Sequence, residues 1–125
     1  MEDKERNSQL HELVCLAMDS LGVAVTIIDT KGILLYYNEE SAKILDRKPE
    51  YIGKDIHSHH KKAETNKKFD KMLQEFSGGR TEPFHYEARP YGKVILVTLT
   101  PIIKDGQFVG CVQSVRRKKE TMSEK

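Results

Sequence analysis

Three histidines, His57, His59 and His60, stand together in Asp55-Ile56-His57-Ser58-His59-His60, and imidazole is the side chain best suited to take a proton or a metal ion near neutral pH. A His-x-His-His run on a loop can offer two imidazoles to one metal. A tetrahedral site then needs two more donors, and His85, Glu64 and Cys111 are the candidates the chain supplies. Lys61 and Lys62 follow directly, so a solvated, basic face is the competing reading. On residue type alone both stay open.

The other polar groups with chemical potential lie in strand-like text. In Pro-Phe-His-Tyr-Glu-Ala-Arg, alternation puts His85 and Glu87 on one face and Phe84 and Tyr86 on the other, with His85 expected to point to solvent. Cys111 shares its parity with Val109, Gln113 and Val115 and reads as a small buried hydrophobe. Cys15 and Cys111 are the two cysteines, with no CxxC spacing, which argues for free thiols and against a disulfide scaffold or zinc ribbon. Thr98 and Gln113, polar within apolar strands, are candidate ligand-facing hydrogen-bond groups, with outward-facing sheet positions as the alternative. The sequence has no GxSxG, P-loop, GxGxxG or HExxH motif and no carboxylate pair spaced for acid–base work. It is not expected to be an enzyme, and a signal it receives would be passed on by contact.

The elements that must position these groups are organised around Gly22 to Leu45. Two apolar runs, Val23 to Ile28 and Ile33 to Tyr37, flank Asp29-Thr30-Lys31-Gly32, which predicts a β-hairpin. Asn38 then caps a short helix carrying Ala42, Ile44 and Leu45. Upstream, Leu10, Leu13, Val14, Ala17, Met18 and Leu21 mark one face of a helix from about Lys4 to Leu21, stopped by Gly22. Downstream, Pro49 opens a short helical turn, and a helix is predicted from about Lys61 to Phe76 with Phe69, Met72, Leu73 and Phe76 on its apolar face. Three strands complete the chain: Pro83 to Ala88, Lys93 to Thr100 and Gln107 to Arg116, the last two joined by a Lys104-Asp105-Gly106 turn. Both parities are apolar in Val94 to Leu99, so this strand is expected to be buried on both faces, its outer face under the N-terminal helix or a second subunit.

This order, with Asp29-Thr30-Lys31-Gly32-Ile33-Leu34-Leu35-Tyr36-Tyr37-Asn38 and the Tyr51-Ile52-Gly53-Lys54-Asp55-Ile56 link, resembles PAS domains, a family of small sensory modules. The resemblance implies an α+β fold: a five-stranded antiparallel sheet with helices on one face, enclosing a pocket for a cofactor, a metabolite or nothing. It divides the chain into a flanking helix (1–21), the PAS domain (22–117) and a disordered tail (118–125). The histidine cluster falls where haem-binding PAS sensors place their axial histidine, so the resemblance also implies haem as a cofactor on His60 or His59. His57, Met72, Thr98 and Gln113 complete the candidate cofactor-binding set. The same stretch is similar to PAS modules beside hemerythrin-like domains, which carry Cys-His-Pro-Pro here; His59 and His60 take the first two places, and Lys61 and Lys62 replace the prolines. The Asn-Cys-Arg motif of flavin-binding relatives is missing.

Bulk properties narrow the partners. One domain is expected from 125 residues, and a net charge of +2 is too small to imply nucleic acid or an anionic membrane. The N-terminal decapeptide is charged and no window approaches a membrane span, so a soluble, cytoplasmic protein of the bacterial regulator type is expected. Its expected partners are a small-molecule ligand or cofactor, a second copy bound through the N-terminal helix and outer sheet face, and a signalling protein. A ligand-free docking module and a profilin-like scaffold are the alternatives of other classes; the latter does not explain the helix capped by Asn38.

Overall fold

Asp29 makes the first turn, because its Oδ1 accepts from the amides of Lys31 and Ile33 at 2.8 and 2.9 Å, a side chain standing in for backbone partners. The computed structural model describes residues 2–56, 63–89 and 92–118. Around that turn β1 (Ala24–Ile28) pairs antiparallel with β2 (Leu34–Tyr37). The outer edge of β2 does not stay open: Leu34 donates to Lys54 O, Gly53 donates to Leu34 O, and Ile56 donates to Gly32 O.

The strands β3 (Phe84–Ala88), β4 (Ile95–Lys104) and β5 (Gln107–Arg117) complete one antiparallel sheet of order β2-β1-β5-β4-β3. Pairing in β4 runs beyond the expected end at Thr100, through Pro101, to the Lys104–Gln107 pair. The reason is the tight turn: Asp105 and Gly106 have φ of 52° and 76°, the left-handed pair that matches the twist of two long strands. Register then sets the faces. Ala88, Ile95 and Arg117 form one rung; Tyr86, Val97, Val115 and Ala24 the next; Phe84, Leu99, Gln113, Thr26 and Tyr37 the third.

Among the described residues the sheet is accompanied by α1 (Glu2–Asp19), α2 (Glu39–Leu45), a 3-10 turn (Pro49–Tyr51) and α3 (Ala63–Ser77). The apolar face of α3 lands on the inner sheet face, where Phe69, Leu73 and Phe76 join Ile28, Leu34, Ile56, Leu99 and Cys111 in one buried cluster. Phe76 meets Phe84 and Phe108 with ring centroids 5.3 and 5.5 Å apart, both tilted, a favourable aromatic geometry. Ile44 of α2 packs with Ala24, Ile95, Val97 and Val115 in a second cluster. Arg80 ties the end of α3 to β3, lying 3.7 Å above the Phe84 ring and donating to Glu75, Glu82 O and Pro83 O.

Two-faced burial of Val94 to Leu99 does not hold within the chain. Ile95, Val97 and Leu99 are almost wholly buried, whereas Leu96 is 37% exposed. The helix expected to cover it lies elsewhere, because α1 is held by its last turn: Asn38 Nδ2 donates to Met18 O at 2.8 Å and Asp19 Oδ1 accepts from the Glu39 amide at 2.8 Å. Cys15 and Met18 are half-buried, while Leu10, Leu13 and Val14 of the helix, and Leu21 just beyond it, are 45–63% exposed.

Asn38 is the joint of these elements. Its Oδ1 accepts from the amides of Val25 and Ser41 at 2.8 and 3.0 Å, and its Nδ2 donates to Met18 O and Val23 O, each at 2.8 Å. Asn38→Asp keeps the acceptor and sets a carboxylate oxygen against two carbonyls. Urea denaturation is expected to show a loss of about 2–4 kcal/mol with an unchanged slope; a loss below about 0.5 kcal/mol would contradict the role given to this residue.

Candidate functional site

On the inner face, a polar belt separates the two apolar clusters. Gln113 is its floor: it follows Cys111 of one cluster and precedes Val115 of the other at the same parity of β5, and it is 8% exposed. Beside it on β1, Thr26 Oγ1 lies 2.7 Å from Ser41 Oγ of α2, so both hydroxyls are satisfied although both residues are fully buried. From above, Arg47 reaches down. Asp46 closes α2 in the left-handed conformation (φ 56°, ψ 39°), the chain turns, and the guanidinium that follows is 94% buried with Nη2 donating to Gln113 Oε1 at 3.2 Å.

Tyr86 joins from β3. On the inner face it shares the Val97–Val115 rung, next to the rung of Gln113. Burial pushes the phenol above its ordinary range, against the lowering effects of Gln113 and Arg47. It is therefore a neutral hydrogen-bonding group at physiological pH. Arg47 and Gln113 thus meet on the inner face, beside the strand position of Tyr86.

The residues singled out in the sequence are divided by the sheet. Gln113 faces inward, and Met72, half-buried on α3, packs against the first cluster. Thr98 does not join them: with Ile95, Val97 and Leu99 inward, position 98 points outward, where Thr98 Oγ1 meets His85 Nδ1 at 3.0 Å. His85 is exposed, on the solvent side expected of it. These two, with Glu87, Leu96 and Arg116, line an open depression of about 330 Å³ on the outer face. Glu87 there is held below the usual carboxylate range by its 2.8 Å pair with Lys118.

The proposed axial and metal ligands His57, His59 and His60 lie outside the described residues. Cys111 and His85, two of the suggested supplementary donors, stand on opposite faces of the sheet and cannot complete one metal site together. Among the described residues no group of three or more His, Cys, Asp or Glu is placed to hold a metal. Residues 119–125 of the expected tail also lie outside them, while Lys118 is engaged by its amide with Val94 O as well as by its side chain.

Arg47 was not among the sequence candidates. Asp46-Arg47-Lys48 reads as a solvated charged link, and only the left-handed turn at Asp46 sends the middle side chain inward. Thr26 carried a weak signal, as the polar member of the buried parity Ala24, Thr26, Ile28.

Comparison with known proteins adds the family. A family model described as PAS domain matches residues 16–116. No curated protein sequence matches the chain. Among solved structures, a C-terminal domain from Streptococcus mutans is 21% identical with a TM-score of 0.71, covering 91% of this chain and 89% of that one. The PAS domain of Bordetella pertussis BvgS is 15% identical with a TM-score of 0.71, covering 94% and 91%. A PAS domain from Colwellia psychrerythraea is 20% identical with a TM-score of 0.67, covering 87% and 97%. At these identities the likeness is one of fold. No described helix is long and apolar enough to cross a membrane.

Cys111 is fully buried, and burial, with the nearby charge of Asp29 second, pushes its thiol up to about 12. The fold favours the protonated form, so this stabilisation is complete below the ordinary value of 9.0 and declines as pH rises from there toward about 12. Iodoacetamide is expected to label Cys15 in the native protein and Cys111 only on unfolding; equal rates would contradict the buried thiol. Between about pH 8 and pH 11 the wild type should lose more stability than Cys111→Ala, and equal losses would remove the linkage.

Proposed function

Because this chain belongs to the PAS domain family, a family of sensory and signalling modules, we propose that it binds a small ligand or cofactor between its sheet and α3 and relays occupancy through α1. The observation that carries this reading is the state of α1. Its apolar stripe is uncovered in the single chain, yet its last turn is bonded to Asn38, which also holds β1 and α2. A change in how α2 sits over the polar belt therefore reaches α1 through one side chain.

The stripe is the surface a second copy covers. Leu10, Leu13, Val14 and Leu21 recur at helical spacing, and exposed apolar rows of this kind mark protein contacts. Two such helices packed together bury what one leaves open. The relay is then a difference in ligand affinity between two arrangements of the pair, since a ligand shifts the equilibrium only by that difference.

Light scattering of the full chain tests the assembly. The wild type is expected to be a dimer at micromolar concentration, and Leu10→Gln/Leu13→Gln to dissociate at least about a hundredfold more readily, given roughly 1.5–3 kcal/mol per buried leucine side chain. A wild type that stays monomeric at about 100 μM would retire the dimer, since such a protein has a dissociation free energy no better than about 5.5 kcal/mol. Native mass spectrometry of freshly purified protein reads the ligand: a bound small molecule supports the sensor. Haem lost in His60→Ala but kept in His85→Ala would make the ligand a gas- or redox-sensing cofactor.

A further inference from the structure

We infer that β3 is a self-association edge, distinct from the α1 contact: two copies of the chain join their β3 strands antiparallel about a two-fold axis at Tyr86, so that their sheets run together. The two terminal strands of the sheet differ. The outer edge of β2 is bonded to Gly53 and Lys54. Beyond β3, which pairs with β4 alone, no backbone bond is made among the described residues, and His85, Tyr86 and Glu87 are all exposed. An edge in this state is a template for another strand.

The residues of β3 select a second copy as the occupant. Directly opposite residues of an antiparallel pair share a face, so a symmetric register that aligns the inner faces of both copies must place its axis on one residue. An axis at His85 sets two imidazoles against each other, and one at Glu87 sets two carboxylates against each other. An axis at Tyr86 puts His85 opposite the partner's Glu87 twice over on the outer face, and Tyr86 opposite the partner's Tyr86 on the inner face. Unlike charges and aromatic pairs favour such rungs, and like charges oppose them. This register also pairs all five residues of β3, with Phe84 against the partner's Ala88.

The charged groups are already held in place. His85 Nδ1 lies 3.0 Å from Thr98 Oγ1, which fixes the ring and leaves Nε2 to meet the incoming carboxylate. Lys118 Nζ donates to Glu87 Oε1 at 2.8 Å, leaving Oε2 for the partner's imidazole. Arg89, Lys93, Arg116, Arg117 and Lys118, all exposed, gather where β3 and β5 stop and β4 starts. In the antiparallel joint the basic ends of the two copies point in opposite directions; a parallel joint would set them side by side. A joint of this length is weak alone. Added to the α1 contact, it gives each chain two separate two-fold contacts, which build a closed tetramer or an open array.

Sedimentation equilibrium of the full chain carrying Leu10→Gln/Leu13→Gln reads this joint apart from the α1 contact. A monomer–dimer equilibrium with Kd of about 0.1–1 mM is expected. In that background His85→Glu or Glu87→Lys alone should weaken dimerisation about tenfold, and the two together should restore it, because unlike charges then face each other again. Disulfide trapping supplies an independent reading. With Cys15→Ser in both, His85→Cys mixed with Glu87→Cys should cross-link several-fold faster than either variant alone, since opposite positions bring their Cβ atoms within about 4.5–5.5 Å. Circular dichroism checks that each variant is folded, and the trapping decides the matter if a charge variant is not. A protein monomeric to about 1 mM in the helix variant, single charge changes without effect, no recovery in the double exchange, or equal cross-linking in mixed and unmixed samples would overturn the joint. A wild-type dimer that leaves no residual pairing in the helix variant keeps the α1 contact and removes this one; residual pairing that follows the charge exchange upholds it whatever becomes of α1.

Discussion

One primary amide holds the molecule's parts in relation to each other. Asn38 is 2% exposed and uses both lone-pair directions and both N–H groups, each within 2.8–3.0 Å of a backbone partner. Two partners belong to β1 or its approach, one to α2 and one to α1. A side chain with only acceptors or only donors cannot reproduce this set, because the partners are two amides and two carbonyls. The direction α1 takes on leaving the sheet, and therefore the exposure of its leucines, follows from that constraint.

The interior is built on the opposite principle from a uniform apolar core. Phe76, Phe69 and Leu73 of α3 seal one end against Leu99 and Cys111, and Ile44 of α2 seals the other against Val97 and Val115. Between them the sheet presents Thr26 and Gln113, and the helical layer answers with Ser41 and Arg47. Such a belt costs desolvation and returns little stability when fully paired. What it fixes is the position of α2 and its following link against the sheet.

Much of this was legible in the sequence. The Asp29 turn, the Asp105-Gly106 turn, the Asn38 cap and the apolar face of α3 each announced themselves through a local rule, and local rules held. What stayed hidden depended on long-range placement. Asn38 could be read as an acceptor for Ser41, but its donors go to Met18 and Val23, on a helix whose direction no local pattern dictates. Thr98 was singled out with Gln113 as a polar residue within an apolar strand, with an outward-facing position as the alternative; the register with β3 and β5 turns it to that outer face. Arg47 gave no local signal, since charged triplets are usually solvated, and it is the left-handed turn at Asp46 that sends it inward. The stripe on α1 was visible, but of the two covers expected for the outer sheet face, the helix of the same chain leaves Leu96 exposed.

Amide hydrogen exchange by NMR, comparing the wild type with Asn38→Ala, tests the central claim most directly. If one side chain couples the flanking helix to the sheet and to α2, then the amides of Val25 and Ser41 lose protection together with the last turn of α1, while the β4–β5 pairing keeps its own. Unchanged protection at Ser41 and along the end of α1, with loss confined to Val25, would show that the helix and the sensor layer are held by something other than Asn38.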